Sequence, residues 1–270
     1  MIRSERAHLH VAALTHPGLS GKNNEDRFAV SAYRLGSNNP TPSLFAIVSD
    51  GIGGHRAGEI AAEMAVNTIS HTIAQSDGSQ PLATLEQAIH AASQAVAAQA
   101  QADAGRQGMG ATCACTWVIG NRLYTASVGD SRIYLLRDRK FRQITTDHTW
   151  IQEAMDKGIL DVEQAHNHPN IHVIRRYLGS AKSPQVDLRL HLRPGESDAQ
   201  AEANQGLALH PGDMLLLCTD GLTDLVHNEE ISRVMCQRGD LQTVAQSLID
   251  LACVRGGHDN ITVILLSVPK

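Results

Sequence analysis

The sequence has no long hydrophobic run. Over 270 residues its apolar stretches reach only five, as in Met214 to Cys218, where a membrane-spanning helix needs about 20. Nor is a secretory leader expected: the opening MIRSERAHLHVAAL carries Arg3 and Arg6 but no apolar stretch long enough for one. Positive charge is not in excess. With 23 Lys and Arg against 28 Asp and Glu, the formal net charge is −5, which argues against nucleic acid or an anionic membrane as partner. Cysteine is scarce and odd in number: Cys113, Cys115, Cys218, Cys236 and Cys253 show no CxxC spacing of the zinc-binding kind. None is followed six positions later by Arg, so a thiolate phosphatase loop is absent. The full P-loop pattern GxxxxGK(S/T) is also lacking around Gly18 to Asn23. These absences leave a cytoplasmic chain with plain buried thiols, expected to be a monomer.

What is present is a succession of short strands. Apolar patterning places them near 9–15, 27–33, 44–49, 112–119, 122–128, 131–136, 141–144, 206–209, 213–218 and 261–268. Gly, Asn, Asp or Pro turns join many of them, and Gly120-Asn121 reads as a tight hairpin turn, so antiparallel sheets are expected. Helical spacing marks 57–75, 85–103 and 240–254, the second opening on a capping box of Thr84 and Gln87. Helices beside two such sheets predict an α+β fold, an antiparallel β-sandwich flanked by helices in α-β-β-α layers. Residues 147–180 break the rhythm and read as an inserted, mobile subdomain of short helices and loops. Residues 193–206 are polar and Gly-bounded and read as a passive solvated loop. No linker splits the chain, so 1–270 is expected to form one domain.

Acids recur at strand ends beside glycine. One apolar run ends in Asp50-Gly51 and another in Asp220-Gly221, while Asp259-Asn260 and Glu25-Asp26 each precede a strand. Any one Asp-Gly is also what a turn requires. Taken together, carboxylates at one end of a sandwich would repel and resist dehydration unless a cation neutralised them. Hard oxygen ligands point to magnesium or manganese, held partly through water, and two such ions suit attack at phosphorus.

The segments NNEDRF (23–28), VSDGIGGHRAGEIA (48–61), GATC (110–113), ASVGDSRIY (126–134), TTDHTW (145–150), HPNIHVIRRYLG (168–179), LLLCTDGLTD (215–224) and GGHDNITV (256–263) stand in one order along the chain. In that order the chain resembles the bacterial type 2C metal-dependent protein serine/threonine phosphatase family. The resemblance implies Asp50 as the acid bridging two catalytic ions and Gly51 as the donor of a backbone carbonyl to one of them. Glu25 then serves the second ion largely through water, with Asp26 as a supporting acid, and Asp220 and Asp259 serve the first. Asp130 and Asp224 match a third, weaker ion site that shares Asp220, and Asn260 is expected to orient Asp259. The implied reaction is hydrolysis of phosphoserine or phosphothreonine in proteins by a metal-bridging hydroxide, with manganese or magnesium as cofactor. A Ser/Thr protein kinase acting on the same targets is the implied partner in bacterial signalling, and residues 147–180 match the family's flap.

Two departures bear on the chemistry. Where the family carries an Arg that grips the substrate phosphate, this chain has Gly21, followed by Lys22, which offers a point charge and no bidentate fork. Arg175 and Arg176 are either a replacement for it or a solvated pair on a helix. Two residues after Asp50, where eukaryotic relatives have a His able to protonate the leaving group, stands Ile52. His55 is then either a catalytic acid or a structural histidine. His166, His168 and His172 have irregular spacing and no Cys partners, which argues against zinc. Two other functions stay open at this level: a catalytically weak or inactive phosphoprotein-binding module of the same fold, and hydrolysis of a small phosphorylated metabolite or of phosphorylated His or Lys.

Overall fold

Short alternating runs assemble into two antiparallel sheets. The computed structural model describes residues 1–270 except 54, 55, 167 and 238, and leaves out the side chains at 56, 162 and 166. Among the described residues one sheet has six strands, in the order Ile2–Arg3, Arg27–Arg34, Pro42–Ser49, Cys113–Ile119, Arg122–Val128 and Leu207–Ala208. The other has five, in the order Lys140–Gln143, Arg132–Arg137, Met214–Cys218, Ile261–Ser267 and His10–His16. A small ribbon pairs Gly51–Ile52 with Gly110–Ala111. The expected hairpin at Gly120-Asn121 is there: Ile119 faces Arg122, and Gly120 takes a φ of +61°.

The side-chain period of two sorts the core into layers. Along Pro42–Ser49, Leu44, Ala46 and Val48 face the other sheet, where Ile133, Leu135, Leu215, Leu217, Ile264 and Leu266 meet them. Phe45 and Ile47 point the other way, into a cluster with Ile69 and Ile73 of helix Arg56–Gln75 and Leu85, Ile89 and Val96 of helix Pro81–Ala102. Burial on both faces explains why this strand is an unbroken apolar run. On the opposite outer face, Tyr134, Leu216, Cys218, Val263 and Leu265 pack against Val244, Leu248 and Ile249 of helix Leu241–Val254. The α-β-β-α layering follows.

Two expectations need correction, and one helix was missed. The helix expected from 85 begins at Pro81, with Pro in its first turn, and Thr84 caps nothing: its hydroxyl donates back to Gln80 O at 2.8 Å. The segment 193–206 is not wholly loop, because Asp198–Ala203 is helical behind a capping box at Ser197 and Gln200. Helix Asn228–Met235 was not foreseen; it buries only Ile231 and Met235, one turn apart, among charged neighbours.

Residues 147–180 leave the sandwich and return by backbone pairing. Thr149 bridges to Ile174, and Ala111 to Leu178. Between them run helices Trp150–Asp156 and Val162–His166, and Trp150 stacks on the His168 ring at 4.7 Å. Arg175 does not lie on a helix; its side chain pairs with Glu153 at 3.5 Å.

Candidate metal centre

Strand register delivers the acids to one end of the sandwich. Asp50 follows Ser49 and Asp26 precedes Arg27, and Ser49 and Arg27 are directly paired. In the other sheet Cys218 faces both Arg132 and Val263, which brings Asp220, Asp130 and Asp259 together. Asp130 sits in the turn Gly129–Ser131, where the chain crosses from one sheet to the other.

Hydroxyls and amides then fix each acid. The Asp50 N–H donates to Thr112 Oγ1 at 2.9 Å, and the Thr112 N–H donates to Asp50 O at 2.8 Å. Thr112 Oγ1 also shares a hydrogen bond with Ser131 Oγ at 2.7 Å, beside Asp130. Asp26 is buried, and its Oδ2 accepts from Thr219 Oγ1 at 2.8 Å and from Thr262 Oγ1 at 2.6 Å. Asn260 Oδ1 accepts the Glu25 N–H at 2.7 Å, while its amide donates to Pro17 O and Asn23 O. Orientation of Asp259 falls to the Asn260 backbone, whose N–H donates to Asp259 Oδ1 at 2.8 Å. The Asn260 side chain instead holds the loop that carries Glu25.

Glycines let the backbones close. A Cβ on Gly51 would overlap Gly58 O. One on Gly58 would lie 2.5 Å from Glu25 Oε2 and 2.6 Å from Gly51 O, so these two oxygens bracket the same small space. A cleft of about 570 Å³ opens there, lined by Lys22, Glu25, Asp50, Gly51, Asp259 and Asn260 among others.

The electrostatics are strained in one direction. Burial pushes the Asp50 carboxyl well above the usual range, and the negative charges of Asp220, Asp26 and Asp130 push it further. Burial does the same to Asp130, helped by Asp220, Asp147 and Asp224. Asp26 is raised by burial to about 7 despite the Thr262 and Thr219 hydroxyls, and Asp220 by burial to about 6, with Asp224 and Asp259 repelling it. One oxygen each of Asp26, Asp130 and Asp220 (Oδ1 in every case) is shielded from water and has no hydrogen-bond partner. Crowded, dehydrated and partly orphaned carboxylates are what a divalent cation relieves, and an all-oxygen set suits magnesium or manganese. Among the described residues no three His, Cys, Asp or Glu side chains already form a closed ligand set. Hard ions of this kind keep several waters and do not require one.

Of the residues expected from sequence, Glu25, Asp26, Asp50, Gly51, Asp130, Asp220 and Asp259 gather here, and Lys22 lines the cleft. Asp224 stands at the edge, its Oδ2 3.3 Å from Nδ1 of His172. His55 lies outside the described residues. His168 and His172 serve different partners, Trp150 and Asp224. Thr112, Thr219, Thr262 and Gly58 were not singled out by sequence. The buried threonines had a signal: a hydroxyl inside an apolar strand or at its end needs a partner, and the adjacent acids supply it.

Known proteins can be set beside this geometry. The protein phosphatase 2C profile matches residues 19–251. The serine/threonine protein phosphatase PstP of Mycobacterium tuberculosis is 36% identical over 261 residues, covering 96% of this chain and 45% of that protein. This chain therefore spans less than half the length of that relative. The serine/threonine phosphatase stp of Listeria monocytogenes is 32% identical over 262 residues, covering 96% of this chain and 95% of that one. A crystal structure of the PstP catalytic domain in complex with two manganese ions matches with a TM-score of 0.78 at 33% identity, covering 97% of this chain and 99% of the other. The chain belongs to the protein phosphatase 2C family.

Proposed function

We propose that the protein is a metal-dependent phosphoprotein phosphatase that hydrolyses phosphoserine and phosphothreonine. The observation that carries this reading is the convergence of Asp26, Asp50, Asp130 and Asp220, raised and partly orphaned, beside a cleft that also presents Lys22. In it Asp50, Asp220 and Asp259 are the catalytic acids that would hold two ions, with the Gly51 carbonyl serving one of them, Glu25 serving the second and Asp26 supporting it. Asp130 and Asp224 would hold a weaker third. When bound, two manganese or magnesium ions supply Lewis acidity, polarising phosphoryl oxygens and making water nucleophilic near neutral pH.

The chain's own residues do the rest. Thr112 and Asn260 hold the Asp50 and Glu25 backbones so that the acids need not reorganise. Lys22 draws the substrate phosphate into the cleft as a point charge. Ile52 has no proton to give, so the leaving hydroxyl takes its proton from another group. Residues 1–270 are read as one catalytic unit with its flap. Among the described residues no helix is long and apolar enough to cross a membrane. A cytoplasmic monomer that opposes a Ser/Thr protein kinase in bacterial signalling is the setting this reading implies.

The test is dephosphorylation of a phosphothreonine peptide with manganese. Asp220→Asn should lower kcat/KM by at least about 100-fold, since loss of mere outer partners of a metal site already costs about 10- to 100-fold. Wild-type protein no faster than Asp220→Asn at saturating manganese would end the enzyme reading and leave a phosphoprotein-binding module. A preference for small phosphoesters over peptides in kcat/KM would move the substrate to a metabolite.

A further inference from the structure

His148 is buried in the motif TTDHTW, outside the cleft, with both ring nitrogens committed. The Gly129 N–H donates to His148 Nδ1 at 3.0 Å, so Nδ1 carries no proton. The ring proton is then on Nε2, which donates to Asp187 Oδ2 at 3.0 Å. Asp187 is a carboxylate that can only accept, and Arg189 keeps it one: burial opposes this, but hydrogen bonds from His148 and Arg189 hold its carboxyl far below the usual range. Main-chain bonds add to the grip. The His148 N–H donates to Gly129 O at 2.9 Å, and Asp187 exchanges two backbone hydrogen bonds with Ser127 at 3.0 Å each.

What hangs from this assembly is the turn that carries Asp130. Gly129 has a φ of +106°, and a Cβ there would lie 2.7 Å from the Thr112 side chain. Thr112 pins the turn on one side through Ser131, and His148 pins it on the other. Asp130 Oδ1 has no hydrogen-bond partner, so the place of that oxygen depends on the backbone beneath it. We propose that His148, held in one tautomer by Asp187, is a positioning residue that sets the Gly129–Ser131 turn and so places Asp130 for the weak ion site. This rests on the metal reading above.

The ring geometry fixes the tests. Imidazole nitrogen NMR of histidine-labelled wild-type protein should show His148 as the neutral tautomer protonated at Nε2; protonation at Nδ1 would overturn the proposal without any variant. Manganese binding to the metal-free protein, counted by electron paramagnetic resonance, supplies the second readout, with Asp130→Asn identifying the weak site. In His148→Asn the carboxamide oxygen stands near the position of Nδ1 and can still accept from Gly129, so weak-site affinity should stay near wild type. In His148→Gln the amide reaches towards Asp187 but leaves the Gly129 N–H without an acceptor, and weak-site affinity should fall by about 10- to 100-fold. A merely structural histidine would lower thermal stability in both variants and leave manganese affinity equal in them, which would overturn the proposal. Wild-type protein that binds no manganese would instead remove the metal reading itself.

Discussion

Gly21 has a φ of +74° with open space around it, and the neighbouring Lys22 lines the cleft in place of a longer, forked side chain. A flexible ammonium binds phosphate without fixing its angle, so it should aid capture more than chemistry. Lys22→Ala is expected to raise KM for a phosphopeptide roughly tenfold with little change in kcat, the scale of one charge-assisted hydrogen bond. Lys22→Arg should restore it. Steady-state kinetics at fixed manganese decide, and a fall in kcat at unchanged KM would take Lys22 out of phosphate binding. At this scale Asp50, Asp220 and Asp259 were legible because each ends or begins an apolar strand next to Gly or Asn, whereas Asp130 and Asp224 came only with the family resemblance. Their supports were not: Thr112, Thr219 and Thr262 have no spacing of their own, and each contacts an acid on a distant segment.

The short helix Asp220–Thr223 begins on a proposed ligand and leans on the loop that carries another. A Cβ on Gly221 would overlap Asn260 O, so Gly221→Ala must push the two segments apart. The expected cost is about 1–3 kcal/mol in chemical denaturation, with weaker manganese binding, since Asp220 and Asp259 flank the strained contact. Unchanged stability and binding would show that the segments yield freely. Long elements could be read from the sequence because periodicity accumulates over many residues, as in Arg56–Gln75 and Leu241–Val254. Asn228–Met235 offers two buried residues in eight, too few for a period to emerge, and Asp198–Ala203 buries only Ala201. Thr84 misled because a capping sequence inside a helix looks like one at its start.

Across the whole molecule the buried acids tie stability to pH. Asp26, raised to about 7, and Asp220, raised to about 6, lie above the roughly 3.9 of an unfolded aspartate. Between about pH 4 and about pH 7 the folded chain keeps protons that the unfolded chain has released, so stability falls as pH rises through that window. Chelator-treated protein should therefore melt lower at pH 7.5 than at pH 5, and manganese should raise the melting temperature more at the higher pH. Equal melting temperatures at both pH values in chelator would contradict the assignment. The layered sandwich was legible at this scale, whereas the pairing of His148 with Asp187 was not, since they stand 39 positions apart and only the folded sheets bring them together. The placement of the acids has a dynamic consequence. Glu25, Asp26 and Asp50 hang from one sheet, and Asp220 and Asp259 from the other. An ion shared among them would span the seam, so its removal should loosen the two sheets at that end, where amide exchange would quicken first.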